Sequence, residues 1–233
     1  MALFGSSSER YAERRFLQEG DTEISERAYN LIIGGVLLWG FLLNYITVHF
    51  FGYDIARSLS GTSPLVTIIG YLVLVFIGSW LIAKPDARLS FLGYNLIALP
   101  IGVTLCGTLG MYSRDIVLKA VEYTGFITLL MMIAGMLFPG FFLRLGRVLF
   151  IALLACTVGF LITSLFGGDR AELLIEWGST AVFCLYIGYD WARANACART
   201  VDNAVDLAAS LYLDIINLFL RILRILGNSK RDD

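Results

Sequence analysis

The chain has 233 residues, of which 58% are hydrophobic and 16% charged, with a mean hydropathy of +0.74. Soluble domains run nearer ~45–50% apolar and ~25% charged, so this composition excludes a soluble globular enzyme and a disordered chain. The formal net charge is -1, from 18 Lys+Arg against 19 Asp+Glu, which leaves no basic excess for nucleic acid.

Residues 1–29 are polar and of both signs, with Arg10, Arg14, Arg15 and Arg27 among Glu9, Glu13, Glu19, Asp21, Glu23 and Glu26. A cleavable secretory signal begins basic and soon turns apolar. This segment does not, and it is expected to be a cytoplasmic tail.

Seven apolar segments follow, each long enough to cross the hydrocarbon as a helix. They are Asn30–Phe51, Pro64–Ala83, Leu89–Met111, Tyr123–Pro139, Val148–Phe166, Leu173–Tyr189 and Asn203–Ile225. Lipid offers no partner for unpaired backbone groups, so each is expected to be helical. The expected fold class is an all-α membrane protein, with a seven-helix transmembrane domain over residues 30–226 and a short polar tail at 227–233. Pro100 lies in the third segment with Gly93, Gly102, Gly107 and Gly110, where a kink or a close helix contact is expected. Asn44, Asn95 and Thr104 are expected to bond between helices.

Basic residues set the orientation. With the N-terminus inside, the inner side holds Arg10, Arg14, Arg15, Arg27, Lys84, Arg88, Arg144, Arg147, Arg193 and Arg199. The outer loops hold only Arg57, Arg114, Lys119 and Arg170. The last basic residues, Arg221, Arg224, Lys230 and Arg231, disagree, and leave open a re-entrant last segment.

Charges inside the spans are rare, and one at bilayer depth costs roughly 2.5–3.5 kcal/mol or more. Asp214 lies near the middle of the last segment and needs a protein interior or a water-filled cavity. Asp206, Ser210, Asp214, Asn217, Arg221 and Arg224 share one helical face there. That stripe reads either as a structural seam or as an ion or proton path whose lining includes Asp206, Ser210, Asn217 and Arg221. Asp190 ends the apolar run of the sixth segment, on the side where the seventh begins, so Asp190 and Asp214 can come close. Two adjacent carboxylates tend to share a proton, which makes a pH sensor. Ionised together, they offer a transient oxygen site for Ca2+. Glu176, one turn into the sixth segment, is expected to reach the outer headgroup region or to line an exit path. His49, the only histidine, is expected to pack at the end of the first span.

The four cysteines form no CxxC pair and no cluster with histidine, so neither a zinc nor an iron–sulfur site is expected. One histidine at a membrane edge supplies no Ser–His dyad, so the chain is not expected to be an enzyme. The last segment lacks the lysine a retinal Schiff base needs, and no phosphate-binding loop supports a primary pump. No resident cofactor is expected.

The stretch Leu185–Tyr186–Ile187–Gly188–Tyr189–Asp190, with Ser210–Leu211–Tyr212–Leu213–Asp214 and Ile216–Asn217–Leu218–Phe219, resembles the Bax inhibitor (transmembrane Bax-inhibitor-motif) family. The resemblance implies a central last helix wrapped by six others. It also implies a pH-sensitive calcium leak whose aspartate pair matches Asp190 and Asp214, with Ca2+ as the transported ion and H+ as the signal. Bacterial members place an arginine near the cytoplasmic end of helix two, bonded to that pair. Here Lys84 stands near that place and Arg88 just beyond, and lysine lacks arginine's planar two-pronged contact. The implied setting is a multi-pass protein among membrane lipids, in a bacterial inner membrane or, in a eukaryote, an ER-type one. Eukaryotic members are linked to suppression of cell death. The alternative is a non-transporting scaffold that regulates a membrane partner such as a protease or a cell-death factor.

Overall fold

The computed structural model describes residues 16–17, 22–166 and 169–229. Among these are seven helices: α1 (Glu26–Ser60), α2 (Pro64–Ile82), α3 (Ala87–Leu109), α4 (Arg114–Leu137), α5 (Pro139–Phe166), α6 (Asp169–Ala196) and α7 (Val201–Ser229). The first six contain stretches long and apolar enough to cross a membrane. Most outrun their apolar segments, because hydropathy marks the hydrocarbon and not the end of the helix. α5 begins at Pro139, where the sequence suggested Val148. α6 continues past Tyr189 to Ala196, which puts Asp190 and Arg193 on the helix.

By contacts the chain divides into two units, Met1–Met111 with Ala196–Ala209, and Tyr112–Asn195 with Ser210–Asp233. In the first unit α3 packs against both α1 and α2. Its buried face includes Ser90, Gly93, Tyr94, Ile97, Ile101 and Leu105, at the three- and four-residue spacing of one helical stripe. The helix starts where the Asp86 side chain accepts from the Arg88 N–H at 2.8 Å, an N-cap. The close contacts expected around Pro100 occur on either side of it. A Cβ on Gly93 would meet the backbone of Gly78 and Ile82, and one on Gly102 would meet Asn44 and Thr47.

Tyr94 donates its hydroxyl to the Val36 carbonyl at 3.0 Å, and Trp39 Nε1 donates to Asn95 Oδ1 at 2.9 Å. Asn95 therefore links α1 and α3. Thr104 does not link helices, because its hydroxyl donates to Pro100 O in its own helix at 2.9 Å. A threonine in an apolar setting can satisfy itself this way without a neighbour. His49 stacks on Tyr45 and meets Phe50 edge-on within α1.

In the second unit α6 approaches α4 through Gly135 and Gly188, so closely that a Cβ on Gly135 would strike the Gly188 carbonyl. It approaches α5 where Phe142 lies against Gly188 and Tyr189 against Gly146.

Exposure separates the helices into two kinds. α2 leaves Leu65, Val66, Ile68, Ile69, Leu72, Val73 and Phe76 uncovered, an apolar surface suited to lipid. In α7 no residue from Asp202 to Gly227 is exposed, although the helix carries Asp202, Asp206, Asp214, Arg221 and Arg224.

Candidate functional site

From Ser210 onward α7 runs antiparallel to α6, and contacts along this pair gather Asp190, Arg193 and Asp214 at one place and Glu176, Arg221 and Arg224 at another. Asp190 and Asp214 are 5% and 9% exposed, and their carboxyls lie within hydrogen-bond reach of each other. A carboxyl–carboxyl hydrogen bond needs a proton on one partner, because an ionised carboxylate only accepts. Oδ2 of Asp214 is buried with no hydrogen-bond partner among the described residues.

The cation beside the pair comes from α6 itself. Arg193 Nη1 lies 3.6 Å from Asp190 Oδ1, one turn along the helix. Its Nη2 donates to Ser210 Oγ on α7 at 3.2 Å, and the guanidinium lies 5.8 Å from the Tyr189 ring centroid. Ser210 is one turn before Asp214, so the antiparallel register sets Asp190 against Asp214 and Arg193 against Ser210. Tyr186 and Tyr189 meet edge to face at 6.3 Å on the same stretch of α6.

A second ionic cluster lies where α6 begins and α7 ends. Arg221 Nη1 and Arg224 Nη1 each donate to Glu176 Oε1 at 2.9 Å. Both guanidiniums also lie over the Phe160 ring, at 5.5 and 5.4 Å. Glu176, expected to reach the outer headgroup region or to line an exit path, is 1% exposed and paired inside the protein. Two arginines supply the opposite charge inside the protein, so the side chain need not travel to water.

The remaining stripe residues divide between these places. Asn217 donates to Leu213 O in its own helix at 2.8 Å. Asp206 is buried at 4% exposure in the first unit, near the start of α7. There the Ser90 hydroxyl donates to Asp202 Oδ1 at 2.9 Å, which ties the first turn of α3 to the first turn of α7. Lys84 lies over the Trp80 ring at 4.5 Å, and Arg88 gives its backbone N–H to the α3 cap.

The chain matches the family described as inhibitor of apoptosis-promoting Bax1 over residues 22–231. It belongs to the Bax inhibitor family. It is 30% identical to an uncharacterized protein of Helicobacter pylori (strain J99) over 236 residues, 97% of each chain. It is 28% identical to an uncharacterized membrane protein of Streptococcus pyogenes serotype M6, over 90% of this chain and 94% of that one. A Golgi anti-apoptotic protein of Vaccinia virus (strain Lister) is 28% identical over 84% of both chains. These relatives, together with six apolar helices, make this Bax inhibitor family member an integral multi-pass membrane protein.

Two features of the site escape the sequence. Arg193 counts there as one more basic residue near a loop, and only helical continuation past Tyr189 brings it back over Asp190. The pairing of Glu176 with Arg221 and Arg224 joins residues 45 and 48 positions apart, which no local pattern announces. The signal available was an acid one turn inside a span and two arginines on one face of the last.

Proposed function

We propose that this protein is a pH-sensitive calcium leak pathway gated by a proton shared between Asp190 and Asp214. The observation that carries this reading is the buried carboxyl pair held between α6 and α7, with Arg193 as its cation. With one proton between them the two aspartates tie α6 to α7 and close the path. As pH rises the proton leaves, and two negative charges face a single guanidinium. Like charges ~4 Å apart repel by about 4 kcal/mol at an effective dielectric of ~20. That suffices to move a gate whose states differ by a few kcal/mol. The same ionised pair attracts Ca2+. Two carboxylates are fewer than the roughly six to eight oxygens a resident Ca2+ takes, which suits transit rather than storage. Ca2+ is cargo and H+ the signal, with no catalytic residue and no resident cofactor.

The proposed architecture has seven spans, with α7 enclosed by the other six. The absence of any exposed residue between Asp202 and Gly227 supports this, as does the unbroken 29-residue length of α7. At ~1.5 Å per residue that exceeds the ~30 Å hydrocarbon thickness. Contacts at both ends of α7 also support a full crossing. Its first turn meets the first turn of α3 through Ser90, and near its end Gly227 lies against Tyr112 in the α3–α4 connection. The basic residues and the bacterial relatives favour a bacterial inner membrane with a cytoplasmic N-terminus.

The test is Ca2+ flux through the purified protein in liposomes across a pH series, with flux expected to rise as pH rises. The description of the vaccinia relative as anti-apoptotic favours a second reading, a non-transporting regulator of a membrane partner. Folded protein with flux no greater than that of empty liposomes selects this second reading.

A further inference from the structure

We infer that Arg221 and Arg224 form a binding site for a phosphate-bearing anion at the membrane face where α6 begins and α7 ends, with Glu176 as its positioning residue. Three observations lead there. Both arginines bond to the same carboxylate oxygen, each through one nitrogen at 2.9 Å. An arginine has five N–H donors, and this end-on geometry leaves four on each guanidinium without a bond among the described residues. The two bonding nitrogens, each that distance from one oxygen, lie at most twice that distance apart.

The charge also fails to balance. Two guanidiniums face one carboxylate, which leaves one positive charge over the Phe160 ring. The Arg221 side chain is 20% exposed and the Arg224 side chain 36%, so water compensates this charge only in part. No other ion pair to either arginine occurs among the described residues. A partly buried net charge calls for a counter-ion. The place completes the argument. Arg224 is five residues before the end of α7, and Glu176 is seven residues into α6, so the cluster sits near the helix ends and not at mid-span.

Planar forked donors suit phosphate oxygens better than they suit chloride. Glu176 holds the two like charges together and aims them. Its own carboxylate, 1% exposed, is turned inward, and Oε2 has no hydrogen-bond partner among the described residues. The phosphate can belong to a lipid headgroup or to a free anion.

Thermal unfolding and native mass spectrometry of the full chain in neutral detergent test this. The probes are short-chain phosphatidylglycerol, short-chain phosphatidylcholine, inorganic phosphate and chloride. Phosphatidylglycerol is expected to raise the unfolding midpoint and to persist in the mass spectrum, whereas chloride does neither. Inorganic phosphate acting as well identifies a free-anion site, and phosphatidylglycerol alone identifies a headgroup site. Arg221→Gln with Arg224→Gln is expected to weaken binding about tenfold or more, the loss of at least one charge-assisted hydrogen bond. Because that double change strands a buried Glu176, the triple variant with Glu176→Gln is measured beside it and should also lose binding. Glu176→Gln alone keeps both cations but loses the charge that holds them together, so it should weaken binding by less than the arginine double variant does, and undiminished binding removes its positioning role. Phosphatidylglycerol and phosphate acting no better than phosphatidylcholine and chloride overturns the site. So does undiminished binding in the folded triple variant.

Discussion

Replacing Asp214 by Asn keeps a hydrogen-bonding group of the same size and removes the carboxyl that holds or releases the proton. Proteoliposome flux of Asp214→Asn is therefore expected to lose most of its pH dependence. Asp190→Asn should do the same, and the double variant should add little, because a coupled pair titrates as one unit. Ordinary pH-dependent flux in either single variant removes the shared proton from the mechanism. Arg193 allows a finer test. Its guanidinium, 3.6 Å from Asp190, favours the ionised pair, so Arg193→Gln makes the proton harder to lose. The flux midpoint of Arg193→Gln should move to higher pH, by up to about one unit for a partly exposed cation. A shift to lower pH contradicts this electrostatic role. The two aspartates were legible in the sequence because an acid within an apolar run stands out. Arg193 was not, because a basic residue just beyond such a run looks like any loop charge.

Helices in a bilayer pack by close backbone approach as much as by side-chain burial, and glycines show where. Gly135 on α4 meets the backbone of Gly188 on α6, where neither carbonyl nor Cα can step aside as a flexible side chain can. Gly135→Ala should cost about 1–3 kcal/mol, the usual penalty of overpacking. Gly34 on α1 has nothing within 4 Å of an added Cβ, so Gly34→Ala should be neutral or stabilise by up to about 1 kcal/mol through helix propensity. Thermal unfolding of both variants in one detergent checks the pair, and equal midpoints refute the close α4–α6 contact. The sequence pointed to the glycines around Pro100, because they crowd one segment. Gly135 and Gly188 lie in separate helices, outside any glycine cluster, and reveal themselves only as partners. The same limit applied to the helix ends. Apolar runs located each of the seven helices, but the polar turn past Asp190, which carries Arg193, had no hydropathy signal.

At the scale of the whole chain, topology depends on counting crossings, and two contacts constrain the count. The Ile24 N–H donates to the Arg199 carbonyl at 2.8 Å, and Arg199 Nη2 pairs with Glu26 at 3.0 Å. The ion pair is exposed and worth ~0–1 kcal/mol, so it matters as a marker of place rather than as a source of stability. It puts the entry to α1 and the α6–α7 connection on one membrane face, which requires an even number of crossings between them. The six apolar helices α1 to α6, if each crosses fully, meet that requirement, and the proposed orientation sets the shared face in the cytoplasm. The basic-residue count supplies an expected orientation, whereas the adjacency of Ile24 and Arg199 is a long-range contact that the sequence could not supply. Cys197 lies in the α6–α7 connection and is already a labelling site. With Cys106, Cys156 and Cys184 replaced by Ala, an impermeant maleimide on intact cells should leave Cys197 unlabelled. Glu23→Cys, in the same background without Cys197, should be protected as well. Ser113→Cys, exposed in the connection after three crossings, should react from outside, and all three should react once the membrane is opened. Reaction of both Cys197 and Glu23→Cys from outside, with Ser113→Cys protected, inverts the orientation but keeps the crossing count. Reaction of only one of Cys197 and Glu23→Cys breaks the even count, and with it the seven-span arrangement in which α7 carries Asp214 across the membrane.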